Sequence, residues 1–260
     1  MKLQLCKVLV VALFAVYLAP SSAAGQAENI VLCHEEEDSY PWVLKGRPGL
    51  DIILLKMIAK KLKVKFEMRP LPWVRCLHEL KNNHVSGAFN LSFGAERLDI
   101  GHYPMLGNKP NIDQRLHSDS YSLYRLKGSG INWDGERLLN PYGGIVGAQS
   151  GFAVIPQLKE LGTKVDDQTR SAEINFKKLM VGRVGAVALP TKEGDMQLRN
   201  KRFFSKRIEK IGPPLVDKNY YLVISNDFYT RNPKLAKQIW VTLANMRESA
   251  EFKKMVAQFN

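Results

Sequence analysis

The chain has 260 residues, with 38 Lys+Arg against 25 Asp+Glu and a formal net charge of +13. Its 45% hydrophobic and 24% charged residues describe a folded globular protein and exclude a disordered or fibrous chain. Three cysteines exclude a disulfide-dense miniprotein and a four-cysteine zinc site, and the charge must be located along the chain before it points to a partner.

Residues 1–27 read as a leader. Lys2 and Lys7 flank the start of an apolar run at 8–18, and Pro20, Ser21, Ser22, Ala23 and Ala24 follow it. That is the basic, apolar, small-residue order of a secretory signal peptide, with cleavage near Ala24 or Ala27. The apolar run is shorter than the ~20 residues that span a bilayer. Cys6 precedes the run and is not a lipoprotein cysteine, which leaves Cys33 and Cys76 in an exported, soluble chain. A disulfide between them would close a loop of about 43 residues, worth roughly 4 kcal/mol in the chain-entropy model. Two buried thiols that never meet fit the sequence as well.

From Asn29 onward the pattern alternates between strand and helix. Ile30, Val31 and Leu32 form a buried strand. Leu50, Ile53, Leu54, Met57, Ile58 and Leu62 share one helical face opposite Lys56, Lys60 and Lys61, which predicts an amphipathic helix over 50–62. Residues 64–68 alternate with period two as a strand, 73–81 form a helix entered through Pro72, and 88–91 form another short strand. A second series follows: strand 144–148, helices 152–161 and 171–181, and strand 186–189. The chain closes with strand 220–224 and helices near 233–249 and 250–258. Strands alternating with helices predict an α/β architecture with largely parallel sheets. Two such series without a Pro/Gly/Ser linker predict two closely tied lobes.

Several local patterns then fall in order: Gly49-Leu50-Asp51-Ile52-Ile53, Pro72-Trp73-Val74-Arg75-Cys76, Phe89-Asn90-Leu91-Ser92 with Ala95-Glu96-Arg97, His102-Tyr103-Pro104, and Gly182-Arg183-Val184-Gly185-Ala186. Together they resemble the type 2 periplasmic binding proteins, specifically the extracellular solute-binding family 3 that includes polar amino acid receptors. The resemblance implies a two-lobed α/β fold with an interlobe ligand cleft and two hinge strands, placed at 121–126 and 212–220. Lobe 1 would comprise 28–120 and 213–260, and lobe 2 residues 121–212. It also implies a periplasmic monomer that captures a small polar or anionic ligand, amino-acid-like or a carboxylate, and closes by hinge bending. The implied partner is an ABC permease; a sensor protein is the alternative reader, and a small dehydratase or lyase on the same fold is a reading from another class. A nucleic-acid partner does not suit an exported chain.

By resemblance, Arg97 holds the ligand's acid group, since a planar guanidinium fits a carboxylate. Trp73 stacks on the ligand, Ser92 and the weaker Asn90 supply polar contacts, and Tyr40 and Trp42 wall the cleft edge. Gly151 and Phe152 stand where amino acid receptors carry Gly-Thr or Gly-Ser at a lobe-2 helix N-terminus, so helix amides remain but the hydroxyl is gone. Where such receptors carry an aspartate for the ligand's ammonium, this chain reads Leu189-Pro190. The acid half of recognition is therefore expected to be kept and the ammonium half lost.

Enzyme motifs are missing from the sequence. His34, His78, His84, His102 and His117 show no metal spacing, there is no Gly-rich phosphate loop or Gly-x-Ser-x-Gly elbow, and no cofactor is implied. Glu35-Glu36-Glu37-Asp38 reads as a solvated acidic turn, with a cation site as the alternative. The basic excess concentrates in Arg199, Lys201, Arg202, Lys206, Arg207 and Lys210, read as a solvated lobe-2 face or a docking and anion-steering surface.

Overall fold

A computed structural model describes residues 29–140 and 144–259; the leader expected at 1–27 and its cleavage site lie outside the described residues. β1 (Asn29–Glu35) buries Ile30, Leu32 and Cys33 completely, and α1 (Leu50–Leu62) packs on it through Leu50, Leu54, Leu55 and Ile58. The 3.6-residue period places these four on one face and the lysines on the other. Lys63, in the left-handed region at φ 55°, ends the helix by donating its N–H to the Ala59 carbonyl. β2 (Lys65–Leu71), α2 (Trp73–Lys81) and β3 (Gly87–Ser92) complete this half, with β2 and β3 flanking β1 in parallel. A hairpin of β4 (Met105–Leu106) and β5 (Lys109–Pro110) then leads to β6 (His117–Leu126).

The second half begins with a hairpin of β7 (Asn132–Trp133) and β8 (Leu138–Leu139). It continues through β9 (Ile145–Gln149), α3 (Ile155–Glu160), β10 (Lys164–Thr169), α4 (Ala172–Met180), β11 (Ala186–Pro190), α5 (Thr191–Asn200) and α6 (Arg202–Ser205). β12 (Ile208–Ile224) runs back to the first half, where α7 (Asn226–Arg231), α8 (Pro233–Arg247) and α9 (Ala250–Ala257) finish the chain.

Eight strands hydrogen-bond in the order β10-β9-β11-β6-β12-β3-β1-β2. The parallel pairing predicted from the βα pattern holds at both ends of this sheet, but the two central strands run antiparallel to their neighbours. The reason is connectivity: β6 carries the chain out of one half and β12 carries it back. The apolar cores separate accordingly. One cluster joins β1 and α1 to α8 and α9, and another gathers Tyr121, Trp133, Val146, Ile155 and Ile211.

The sequence pattern caught only the last five of the 17 residues in β12, because Gly212, Pro213 and Pro214 interrupt its alternation. The register against β6 shifts between Ile211 and Val216, and Gly212 sits there at φ +58°. A Cβ at Gly212 would lie 2.5 Å from the Trp133 carbonyl oxygen, so the chain crosses this point only as glycine. β10 and α5 escaped the reading for another reason: their sequences, KVDDQT and TKEGDMQLRN, carry little apolar periodicity.

Cys33 on β1 and Cys76 on α2 are fully buried and bonded to each other, which settles the open pairing. The bond ties the end of β1 to the first turns of α2. Replacing both cysteines by serine is expected to lower unfolding free energy by about 2–5 kcal/mol in denaturant titration. Alkylation of the non-reduced protein should find neither Cys33 nor Cys76 as a free thiol.

Candidate functional site

Both parallel trios point their carboxyl ends at the same gap, where open α/β sheets place ligands. The gap holds about 460 Å³ of empty space, counted together with the open solvent at its mouth. From the first half come Glu35 at the end of β1, Ser39 and Trp42 from the following loop, Trp73 at the start of α2, Asn90 and Ser92 from β3, and Arg97. β6 adds Asp119 and Tyr121, β12 adds Tyr220, and the second half contributes Phe152, Ala153 and Pro190.

Local backbone chemistry aims these side chains. Along β3 the ladder to β12 gains one residue between Ala88 and Leu91, a bulge at Phe89-Asn90. Asn90 takes up the extra length in the left-handed region at φ 62°, which asparagine tolerates, and its amide N–H reaches the Ser39 hydroxyl at 3.3 Å. Arg97 sits on a short 3-10 turn and is only 8% exposed. Its guanidinium donates at 3.4 Å to both the carbonyl and the hydroxyl of Ser92, and at 3.1 Å to the Gly151 carbonyl across the cleft. Its acidic neighbour Glu96 lies 3.7 Å away and is mostly exposed. A buried cation whose hydrogen bonds all go to neutral oxygens, with its one nearby carboxylate at 3.7 Å and mostly exposed, is incompletely compensated and can donate to an incoming acid.

Two carboxylates share the cavity. Glu35 Oε1 accepts the Glu37 N–H at 3.0 Å and Oε2 accepts the Trp73 N–H at 3.2 Å. Asp119 Oδ1 accepts the Ser120 N–H at 2.8 Å, whereas Oδ2 is buried without a partner among the described residues. Burial pushes both carboxyls above the usual carboxylate range, against backbone N–H donors and Arg170 at Glu35, and against His117, the Ser120 N–H and Lys192 at Asp119. The Trp42 indole N–H lies close enough to Asp119 to oppose that rise, but it makes no well-directed hydrogen bond. His117 stacks between Trp42, at 3.5 Å between ring centroids, and Tyr220, at 4.8 Å, and its Nδ1 pairs with buried Asp51 at 3.0 Å. Burial pushes the Tyr121 phenol to about 12, so this hydroxyl stays neutral.

Further contacts cross the cleft. The Tyr40 N–H donates to Glu193 Oε2 at 2.7 Å, Arg170 pairs with Glu36, and Lys192 Nζ lies 4.4 Å over the Trp42 ring.

No family model matches the chain, and no curated protein matches it. Solved structures do match. The arginine-, lysine-, histidine-binding protein ArtJ from Geobacillus stearothermophilus gives a TM-score of 0.72 at 16% identity, covering 89% of this chain and 95% of its own. The substrate binding protein of an amino acid ABC transporter gives 0.68 at 17%, covering 89% and 99%. A histidine kinase sensor domain with similarity to periplasmic binding proteins gives 0.69 at 14%, covering 89% and 95%. The chain has the two-lobed periplasmic-binding-protein fold.

The cavity described above is the interlobe cleft of that fold. Of the residues singled out from sequence, Trp42, Trp73, Asn90, Ser92, Arg97 and Phe152 line it. Tyr40 does not. It faces an outer pocket with Lys192, Arg199 and Phe259, and its hydroxyl donates to the Phe259 carbonyl. Gly151 meets the cleft through its carbonyl rather than an amide, and the Phe152 N–H is already spent on the Gln149 carbonyl at 3.1 Å. The expected helix N-terminus at 151–152 is a turn, and α3 starts at Ile155. Gly151 sits at φ +73°, where a Cβ would press within 2.9 Å of Val74. Among the described residues no group of three or more His, Cys, Asp or Glu side chains is gathered to hold a metal ion.

Sequence reasoning missed Glu35, Ser39, Asp119, Tyr121, Ala153 and Tyr220 as lining residues, whereas Pro190, which stands where receptors carry an aspartate, does line the cleft. The acidic run at 35–38 is not one solvated turn: Glu35 turns inward, Glu36 pairs with Arg170, and Glu37 and Asp38 hold Lys45. Asp119 alternates with Ser118 and Ser120 along a strand, and only the placement of β6 shows that it faces the cleft.

The raised pKa of Asp119 has a stability consequence. The folded state holds a proton there more tightly than the unfolded chain, so this group's contribution to stability falls as pH rises through the carboxylate range. Ligand-free Asp119→Asn is therefore expected to melt about 2–4 °C above wild type at pH 7, the shift that ~1 kcal/mol produces in a chain of this size. The gap should narrow at pH 4; a lower midpoint for the variant at pH 7 would contradict the reading of Asp119 as a poorly compensated charge.

Proposed function

We propose that the chain is an exported solute-binding protein that captures a small polar ligand with an acid group in the cleft, and closes over it by bending at β6 and β12. The observation that carries this is Arg97: a guanidinium buried in the cleft wall with no carboxylate in hydrogen-bonding range among the described residues. A ligand acid would supply the missing charge, Ser92 and Asn90 would add polar contacts, and Trp73, Trp42 and Phe152 would flank its apolar part. Closing free energy must come from contacts formed only when the lobes meet, and Arg97, which touches both Ser92 and Gly151, lies where such contacts form.

Lobe 1 is proposed as residues 28–120 and 213–260, and lobe 2 as 121–212. Structural relatives that bind amino acids or serve an amino acid ABC transporter support a binding protein over an enzyme, with a permease as the reader. Likeness to a histidine kinase sensor domain keeps a signalling partner as the second reading. The amino-acid-like class of ligand, the periplasmic location and a monomeric state belong to this proposal.

A thermal-shift screen of the mature protein against amino acids, carboxylates, opines and oligopeptides tests it. A ligand at 100 times its dissociation constant should add about 2.7 kcal/mol of stability. Arg97→Ala should abolish that shift, and an unchanged affinity in the variant would remove the acid-binding role.

A further inference from the structure

The cleft is charged on one side only. Glu35, Arg97 and Asp119 come from the first half and from β6, whereas Phe152, Ala153 and Pro190 on the opposite wall carry no charge. The two acids differ in what they still have to offer. Both Glu35 oxygens accept backbone N–H groups, so this side chain is committed to holding the loop after β1 and the start of α2. Asp119, which lines the cavity, has spent one oxygen on the Ser120 N–H, and the other is buried with no well-directed hydrogen bond, only the Trp42 indole N–H nearby.

The surroundings of that free oxygen reinforce the point. Asp119 is 8% exposed, and among the described residues no Lys or Arg forms an ion pair with it. Lys192, the nearby cation, is placed over the Trp42 ring instead. Trp42 has His117 stacked on its ring and Lys192 over it, so the ring already holds that cation away from Asp119. A buried carboxylate oxygen without a partner is costly, and a donor that carries positive charge compensates it better than a neutral one.

We infer that Asp119, from the strand between the lobes, is the anchor for a positively charged, N–H-bearing group of the ligand, a protonated amine or a guanidinium. This rests on the solute-binding reading and specifies its ligand class: an acid for Arg97 and an N–H cation for Asp119, both held from the lobe-1 side. The cationic half of recognition, expected from sequence to be lost with Pro190, is thereby relocated. Lobe 2 closes over the ligand with an apolar wall, which excludes water and strengthens both charge pairs.

The test measures dissociation constants by calorimetry for the mature protein with four probes: L-lysine, L-arginine, 4-aminobutyrate and glutarate, which has no amine. Wild type should bind at least one amine- or guanidine-bearing probe more tightly than glutarate. Asp119→Asn should weaken that probe by about tenfold or more, as loss of one partner of a buried charge pair does, while glutarate binding is retained or improved. Retained glutarate binding, or an apo melting midpoint no lower than wild type, shows that the variant is folded. Asp119→Glu should keep the preference for the cationic probe.

Amine affinity within about twofold of wild type in Asp119→Asn would overturn the assignment, as would a wild-type preference for glutarate over every other probe. Those outcomes leave the solute-binding reading intact. No binding of any probe by wild type would overturn the paired acid-and-cation specificity, and only failure of the wider thermal-shift screen would remove the solute-binding reading as well. An Asp119→Asn effect without an Arg97→Ala effect would sink the acid-binding role alone.

Discussion

The antiparallel pairing of β6 with β12 is the constraint on which the rest of the molecule depends. These two strands are the middle of the sheet, and every path between the two lobes of the main chain runs along them. Their register holds near both ends and shifts between Ile211 and Val216, where Gly212 and two prolines leave a stretch without ladder pairing. Bending confined to such a stretch costs few hydrogen bonds, whereas bending elsewhere in β6 or β12 would break a continuous ladder. The same strands deliver Asp119, Tyr121 and Tyr220 to the cleft, so the crossing is both the connection and part of the cleft wall.

The cleft concentrates polar groups that burial penalises. Arg97, Asp119, Glu35, His117 and Asp51 are all below a tenth exposed, and Asp119 Oδ2, His117 Nε2, Asp51 Oδ2 and Trp42 Nε1 have no hydrogen-bond partner among the described residues. Buried polar atoms are usually satisfied. Other exceptions lie elsewhere, at Ser129, Trp133, Gln149, Asn175 and Gln197, but among the described residues only around the cleft do they coincide with buried charged side chains that line a cavity. The folded chain therefore carries unrelieved electrostatic cost at its centre. The disulfide, the apolar cluster under α1 and α8 and the two parallel trios offset it. Glu193, buried at the start of α5 and bound to the Tyr40 N–H, shows the same economy at the cleft's outer edge, where burial raises its carboxyl.

The positive charge that first stood out in the composition is distributed less simply than the sequence indicated. Within the basic segment Lys201 pairs with Glu173 and Lys210 with Asp195, while Arg199 lies over the Tyr40 ring. Arg202, Lys206 and Arg207 remain exposed beside Phe203, which is 65% exposed. Part of the run is thus neutralised by nearby carboxylates, and part is a solvated face.

The sequence by itself determined the α/β class, the amphipathic helices and the short buried strands, because these are local properties: apolar residues at period 3.6 or 2 bury one face wherever they are placed. Ordered short motifs were enough to single out Arg97, Trp73, Ser92, Asn90, Trp42 and Phe152, which meet at one cavity. The tertiary structure alone decided the rest. A polar residue in the middle of a strand has the same sequence signature whether it faces solvent or a cleft, so Asp119 was invisible until β6 was placed. The acidic run at 35–38 was misread for the same reason, since burial of Glu35 depends on the backbone N–H groups of Glu37 and of Trp73, 38 residues away in sequence. Tyr40 turned outward while its neighbour Trp42 turned inward, a choice made by packing against Phe259 and His117 rather than by residue type. Pairing of Cys33 with Cys76 was likewise a matter of proximity, set by α2 lying on β1.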